Sequence, residues 1–547
     1  MWKKFLLFLQ DLENTPQSLL SYGGAFLSII ILRLTIEASL GHFSQKSFRF
    51  IFFEFTHTFL FFLFALLLFS FLFRFLTKES LLRVSNILLF GFLIILLPPI
   101  IDTWIFRGQD FWSFYEFDGL QGLFWRYLTL FGDSPRIGIT YGVRLEVVLM
   151  TLGSTFYTFY KTRSKKLAFL AFWLTYSLFF ILGTFPSWLT LVLKTTSIGI
   201  LAISDLHVAS LFLTPETILN SAMTDVRSVL NIKMSLFYAF FSAFTLSFLL
   251  WKEKPHHFAA LFKNARFPQI FHHGGLLLLG SLLAWHFEQA PLPFSLFSIL
   301  TYSLLIFSVV LAWLTSVVIN DIYDTSIDAL TNLDRPLIKK NIPHQTFLAY
   351  GIFFFFFSLL FAGIVSPTAL FLIFLYQVFA YVYSAPPLRL KRLPLLATLL
   401  AAFANILIFA LGYITLSQEK SLTTLPTSIL LYLLLALTIG LCLKDFKDIA
   451  GDAKDHVFTL PVLFGETRAK YILASLIFCI FALSPIIFNQ STLFPLSFIV
   501  ASLAFYIIQK GTSHRKSLFS YHRFSFLFFL LLFCYGTLLA LFFLFKH

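Results

Sequence analysis

The sequence predicts an all-α, polytopic membrane protein with about 15 transmembrane helices. Hydrophobic residues make up 58% of its 547 positions, charged residues only 12%, and 76 positions are Phe. A soluble fold could not bury so much apolar surface. The net charge of +14 does not indicate nucleic acid as a partner. Lys and Arg instead gather in short loops between apolar runs, as the positive-inside rule expects for a membrane protein.

Residues 1–251 are predicted to form an N-terminal membrane domain of about six spans, each about 20 apolar residues long. The predicted spans are 17–40, 49–76, 84–101, 138–160, 167–193 and 228–251. Basic residues flank these spans in a pattern that places the N-terminus on the cytoplasmic side of a cell (inner) membrane. This half carries no motif that indicates its function. The polar residues of its outer segment 102–137 either line a headgroup pocket or form an interfacial helix with an aromatic belt.

Residues 252–271 are basic and contain Pro and His, which is typical of a cytoplasmic linker that can lie on the membrane as an amphipathic helix. The remaining chain, 272–547, contains about nine further apolar runs of spanning length. They are 272–289, 293–320, 345–364, 367–383, 395–415, 425–443, 469–487, 492–509 and 523–545. Alternation from a cytoplasmic linker places two acidic clusters of this half on the cytoplasmic side.

These acidic clusters each follow directly on an apolar run. A carboxylate at membrane depth is costly without a partner, and spacings of three and four residues place the acids on one face of a helix. Divalent cations relieve the repulsion between such acids, and hard oxygen ligands suit Mg²⁺, which shares its shell with substrate phosphates. The alternative is that the acids are solvated loop charges paired with nearby lysines. The candidate metal ligands are Asn320, Asp321, Asp324 and Asp328 in the first cluster and Asp445, Asp448 and Asp452 in the second.

Four blocks, in this order along the chain, carry a family resemblance. They are Asn320–Asp328, Arg335–Pro336, Tyr383–Arg392, and Asp445–Asp452 with the following Thr459–Gly465. Together they resemble the UbiA superfamily of intramembrane prenyltransferases, over roughly residues 255–547. The resemblance implies a nine-helix bundle around a central cavity, with Mg²⁺ as the cofactor. It also implies transfer of an isoprenoid group from a prenyl diphosphate to a lipid or aromatic acceptor, with release of diphosphate.

The resemblance also implies roles for single residues. One Mg²⁺ is assigned mainly to Asn320, Asp321 and Asp324, with Asp328 completing this site or holding a basic partner. The other is assigned to Asp445, Asp448 and Asp452. The residues expected to bind substrate are Asn320, Arg335, Tyr383, Arg389 and Arg392, and those expected to be catalytic are Asp321, Asp324, Asp445, Asp448 and Lys391. Arg suits bidentate contact with phosphate, whereas Lys acts as a mobile point charge.

Several alternatives stay open at the level of sequence. The basic residues of these loops also satisfy the positive-inside rule, and Tyr383 is either a ring beside the substrate carbocation or an interfacial tyrosine. Thr331, His456 and Phe458 depart from the family pattern, which leaves the acceptor undecided between a quinone precursor, a glycerol-phosphate lipid and a sugar. A transporter or scaffold that binds cations without chemistry is the alternative outside the enzyme class.

Overall fold

The computed structural model of the chain is almost entirely helical and divides into two compact units, Met1–Phe248 and Leu249–His547. It describes residues 2–40, 47–106, 112–113, 115–132, 137–219, 225–289, 294–393, 395–447, 449–454, 457–512 and 519–545.

The first unit is built from helices α1 to α10 and most of α11. Their bounds are α1 Trp2–Asn14, α2 Leu19–Leu40, α3 Phe48–Thr77, α4 Leu81–Gly91, α5 Leu97–Phe106, α6 Leu120–Leu128, α7 Tyr141–Thr162, α8 Lys165–Gly183, α9 Phe185–Ile198, α10 Asp205–Phe212 and α11 Val226–Glu253. Two 3₁₀ helices, Phe92–Leu96 and Thr217–Leu219, are the other helical segments of this unit. The strands β1 Trp112–Ser113 and β2 Ile137–Gly138 pair in parallel.

The second unit contains α12 to α24. Their bounds are α12 Pro255–Asn264, α13 Phe267–Glu288, α14 Leu296–Tyr323, α15 Thr325–Thr331, α16 His344–Val365, α17 Pro367–Ser384, α18 Leu396–Leu416, α19 Thr427–Leu441, α20 Ile449–Lys454, α21 Leu460–Phe464, α22 Glu466–Ile487, α23 Phe494–Lys510 and α24 Tyr521–Phe545. The 3₁₀ helices of this unit are Leu390–Arg392, Cys442–Lys447 and Ser491–Leu493.

The described residues contain 13 helical segments that are long and apolar enough to cross a membrane, which confirms the predicted fold class. Two predicted spans are not among them. Helix α7 is 22 residues long but carries Arg144 and Glu146 near its start, and the described apolar part of α24, Phe526–Leu539, is shorter than a span. The predicted span 167–193 is also divided, because α8 ends at Gly183 and α9 begins with Pro186 in its first turn.

A buried ion pair joins two helices of the first unit. Glu54 on α3 receives bonds from Arg227 on α11 at 2.5 and 2.8 Å and a third from the Asn231 side-chain amide at 2.6 Å. All three residues are buried. Because each oxygen of this carboxylate has a donor, the pair meets the condition under which charges are tolerated inside a protein.

Two glycines allow the backbones of α13 and α18 to touch in the second unit. A Cβ atom on Gly412 would lie 1.8 Å from the carbonyl oxygen of Leu277, and one on Gly280 would lie 2.0 Å from that of Phe409. Small residues at such crossings are what lets membrane helices pack closely without a side chain between them. The contact belongs to an apolar core shared by α13, α14, α16, α17, α18 and α19.

Candidate active site at the end of helix α14

The first acidic cluster lies where α14 ends. Asp321 is in the last turn, and Asp324 follows Tyr323 as the C-terminal cap, with its backbone N–H bonded to the carbonyl of Asn320 at 2.9 Å. Asp328 is in the first turn of the next short helix, α15. Asp321 faces the negative end of the α14 dipole, which disfavours a carboxylate. Its position therefore requires a compensating cation from elsewhere in the fold.

Asp321 is held by the corner between α12 and α13. Arg266 Nη2 lies 2.8 Å from Asp321 Oδ1, and Asn264 Nδ2 donates to Asp321 Oδ2 over 2.6 Å. The side chain of Asp321 is 0% exposed. Sequence reasoning missed Asn264 and Arg266, which fall inside the predicted linker 252–271. One signal in the sequence could have found them. They lie just before an apolar run of spanning length, and polar residues next to the end of such a run are what drew attention to both acidic clusters.

Asp324 is held by cations from the loop after α17. Arg389 Nη2 lies 3.0 Å from Asp324 Oδ1, and Lys391 Nζ contacts the same oxygen. Asn320 donates its side-chain N–H to Asp324 Oδ2 over 2.5 Å. The structure thus brings together Asn320, Asp324, Arg389 and Lys391, four of the residues that the sequence singled out.

Asp328 and Arg335 face each other without a hydrogen bond. Arg335 Nε and Asp328 Oδ2 are 3.9 Å apart, and neither buried atom has a hydrogen-bond partner. Burial raises the pKa of Asp328 from 3.8 to about 6, with the charge of Asp321 acting in the same direction and that of Arg335 against it. Arg335 also donates to Asn264 Oδ1 over 2.8 Å. This part of the site therefore contains opposite charges that protein contacts leave unsatisfied.

The second acidic cluster lies beside the first. Asp445 is in the 3₁₀ helix after α19, and Asp452 is on α20, which lies against α15. Asp448 lies outside the described residues. Lys444, next to Asp445, donates to the Tyr383 hydroxyl over 2.8 Å, and its ammonium is 5.0 Å from the Tyr383 ring centre. An ammonium thus already contacts the ring that was expected to flank a carbocation.

Arg392 differs from its neighbours in this loop. Its side chain is exposed and contacts no carboxylate among the described residues. The turn of 3₁₀ helix at Leu390–Arg392 separates successive side chains by about 120°. Lys391 therefore reaches Asp324 whereas Arg392 does not, and a role of Arg392 in substrate binding stays a prediction.

The residues of the first cluster fit a magnesium–diphosphate ligand by their chemistry. Among the described residues, no three His, Cys, Asp or Glu side chains form a ready metal cage, because each acid of this cluster faces a cation. Asp328 Oδ2 has no hydrogen-bond partner, and the charges of Asp321 and Asp324 act on this carboxyl. Mg²⁺ accepts carboxylate oxygens of this kind as ligands. The cations that now face the acids are the types that bind diphosphate oxygens.

Residues 276–533 match the UbiA prenyltransferase family. The C-terminal half of the chain is a UbiA-family domain. It is 27% identical over 271 residues to digeranylgeranylglyceryl phosphate synthase of Methanococcoides burtonii, an alignment that covers 48% of this chain and 93% of that protein. It is 32% identical over 169 residues to the chloroplastic chlorophyll synthase of Arabidopsis thaliana, which covers 28% of this chain and 41% of that protein.

Solved structures also resemble the UbiA-family domain. A UbiA homologue from Archaeoglobus fulgidus, bound to DMAPP and Mg²⁺, is 22% identical with a TM-score of 0.35, and the match covers 49% of this chain and 98% of that one. The family match confirms the resemblance that the four sequence blocks indicated, and it identifies the domain as that of a prenyltransferase.

Proposed function

We propose that this protein transfers an isoprenoid group from a prenyl diphosphate to a membrane-soluble acceptor, with Mg²⁺ as cofactor and diphosphate as product. One observation carries the proposal. Arg266, Arg335, Arg389 and Lys391, from three separate parts of the chain, converge on the acids at the end of α14. Three arginines and a lysine placed in this way are the types of side chain that bind the oxygens of a diphosphate.

The acids would hold the metal. Asp321, Asp324 and Asp328, with Asn320, would form the first site, and Asp445, Asp448 and Asp452 would form the second. Bound Mg²⁺ would neutralise the diphosphate oxygens and so make diphosphate a better leaving group.

The basic residues and the bundle would supply the rest of the chemistry. Arg335 and Arg389 would bind diphosphate oxygens through two N–H groups each. Lys391 would contact a diphosphate oxygen through its single ammonium, whose flexible side chain lets it move with the leaving diphosphate. The Lys444 ammonium would keep the Tyr383 ring at the edge of the site. The apolar helices would exclude water, which would otherwise capture the allylic cation.

For the acceptor we propose a glycerol-phosphate lipid. The alignment with the Methanococcoides synthase covers 93% of that protein, whereas the one with chlorophyll synthase covers 41%. A glycerol-phosphate acceptor is therefore supported over the whole length of a relative. Transfer to an aromatic acceptor is the alternative outcome of the transfer assay described below.

We also propose that the protein lies in the cell membrane with its N-terminus and both acidic clusters on the cytoplasmic side. The basic loops between the apolar runs support this orientation. On this view residues 1–251 form a separate membrane domain, 252–271 a linker and 272–547 the catalytic domain. Single-cysteine labelling at exposed loop positions, from each side of sealed vesicles, tests the orientation.

The decisive experiment is a transfer assay with the full chain in liposomes. Prenyl diphosphates of increasing length would be supplied with glycerol-phosphate or aromatic acceptors, with Mg²⁺ or with EDTA. We expect Mg²⁺-dependent release of diphosphate together with a prenylated lipid. Cation binding without diphosphate release would instead support a transporter or scaffold.

A further inference from the structure

Asn264 and Arg266 occupy both oxygens of a predicted metal ligand. Arg266 Nη2 is 2.8 Å from Asp321 Oδ1, and Asn264 Nδ2 is 2.6 Å from Asp321 Oδ2. An ionised carboxylate has about four lone-pair sites, and these two donors take two of them. The positive charge of Arg266, 2.8 Å from Asp321 Oδ1, would also repel a cation bound to that oxygen. Asp321 is therefore a better metal ligand once Arg266 has moved away.

The same two side chains contact other parts of the site. Arg266 Nη2 lies 3.3 Å from the Asn320 amide oxygen, and the Asn264 amide oxygen accepts from Arg335 Nη1 over 2.8 Å. The corner between α12 and α13 therefore holds two predicted ligands and one predicted phosphate-binding arginine. Each contact is one that a bound metal–diphosphate would replace or rearrange.

The backbone of this corner is fixed in an unusual conformation. Arg266 has φ 54°, in the left-handed region that side chains other than Gly rarely adopt. The Trp313 indole N–H, on α14, donates to the Ala265 carbonyl over 2.9 Å and fixes the residue between Asn264 and Arg266. Such strain persists where the surroundings enforce it, and it is concentrated at functional sites.

We propose that Asn264 and Arg266 are positioning residues that exchange partners as substrate loads. Without ligand they hold the Asp321 carboxylate in place, with Arg266 as its ion-pair partner. When the metal–diphosphate enters, Arg266 transfers from Asp321 to a diphosphate oxygen, while Asn264 gives up Asp321 and keeps Arg335 aligned. The proposal rests on the diphosphate chemistry of the proposed function.

Charge balance supports the exchange. In the ligand-free arrangement Asp321 is paired with Arg266, and after the exchange Asp321 faces a metal cation while Arg266 faces a phosphate anion. No charge in this buried region loses its partner at either stage, which avoids the cost of an isolated buried charge. A fixed structural brace would instead keep Arg266 on Asp321 throughout.

Exchange and brace predict opposite changes for Arg266→Gln. If Arg266 competes with the metal, its removal makes Asp321 more available. The protein should then bind Mg²⁺ alone several-fold more tightly. With Mg²⁺ present, geranyl diphosphate should bind about tenfold more weakly, because one charge-assisted contact is lost. A brace predicts that both affinities fall together.

The test uses the full chain in nanodiscs. Binding of Mg²⁺ alone, and then of geranyl diphosphate at saturating Mg²⁺, would be measured by calorimetry and by tryptophan fluorescence, with Trp313→Phe identifying the signal from the corner. Lys263→Gln is the matched control, since it also removes one positive charge near this corner, but the Lys263 side chain is 68% exposed and pairs with Asp334. This control should leave both affinities unchanged.

A second variant keeps the test decisive if Arg266→Gln does not fold. Asn264→Ala removes one donor from Asp321, so it should also tighten Mg²⁺ binding, by a smaller factor. The proposed exchange of partners is wrong if Mg²⁺ binding is unchanged or weaker in both Arg266→Gln and Asn264→Ala, or in whichever of the two folds. If Arg266→Gln binds Mg²⁺ more tightly but no chain transfers prenyl groups, the exchange at Asp321 stands and the proposed function fails.

Discussion

The two units of this chain contain buried charges arranged in two different ways. In the first unit Glu54 has Arg227 and Asn231 on its oxygens, and the protein itself completes the network. In the second, several acids and bases gather at the end of α14, and Asp328 Oδ2 and Arg335 Nε face each other at 3.9 Å without a hydrogen bond. Burial of charge alone therefore does not indicate a reactive site. The second unit differs in that three carboxylates and four basic side chains meet in one place.

The largest expected effect is loss of prenyl transfer in Asp321→Ala or Asp445→Ala. Each change removes a proposed metal ligand, and losses of about 10²–10³-fold or more in turnover are typical when a stabilising group is removed from an active site. Transfer assays in liposomes, with circular dichroism and yield as controls for folding, check this. Loss of the folded protein along with activity would instead show that the acids serve stability.

In the first unit, a substitution in the Glu54–Arg227 ion pair should lower stability and leave activity unchanged. Glu54→Ala removes the carboxylate that hydrogen-bonds to Arg227 and leaves Glu37 at 3.8 Å, too far for a hydrogen bond. We therefore expect a loss of about 3 kcal/mol in stability. Transfer per folded molecule should stay unchanged, because this pair belongs to the first unit. Thermal unfolding in detergent measures the loss.

A double variant provides the control for this prediction. Glu54→Met with Arg227→Met removes both charges, so it should recover most of the stability that Glu54→Ala loses. A double variant as unstable as the single one would mean that the ion pair is not the cause.

A smaller effect should separate two adjacent basic residues. Lys391 contacts Asp324, whereas the Arg392 side chain is exposed. We expect Lys391→Met to raise the KM for prenyl diphosphate about tenfold, as for loss of one charge-assisted contact. Arg392→Met should change it less than about twofold, as for an exposed charge. Equal effects of the two variants would show that the loop rearranges when substrate binds.

The smallest expected effect is a pH dependence of metal binding. The pKa of Asp328 is raised to about 6, so this carboxyl gains a proton as the pH falls through 6. Since a protonated acid is a poor ligand, Mg²⁺ affinity should fall by about fourfold between pH 7.5 and 5.5. Titrations from pH 7.5 to 5.5 measure this, and Asp328→Asn should flatten the profile.

The sequence allowed correct prediction of the fold class and of the family, because apolar runs and acidic motifs are local patterns. It did not predict the partners of Asp321, since Asn264 and Arg266 reach it only through the tertiary packing of α12 and α13 against α14. The sequence named both Lys391 and Arg392 as site residues, but it did not show which of them reaches Asp324, because the direction of each side chain depends on the turn that contains them. Similarly, hydropathy could not show that the run 167–193 is divided at Thr184.

The glycine contact between α13 and α18 limits how this bundle can vary its substrate. Where Gly280 and Gly412 let the backbones touch, no side chain exists whose size could be altered to lengthen or shorten a binding space. Side chains that set the length of the bound isoprenoid would therefore have to lie elsewhere in the bundle. A change of isoprenoid length in this protein would accordingly leave these two glycines in place.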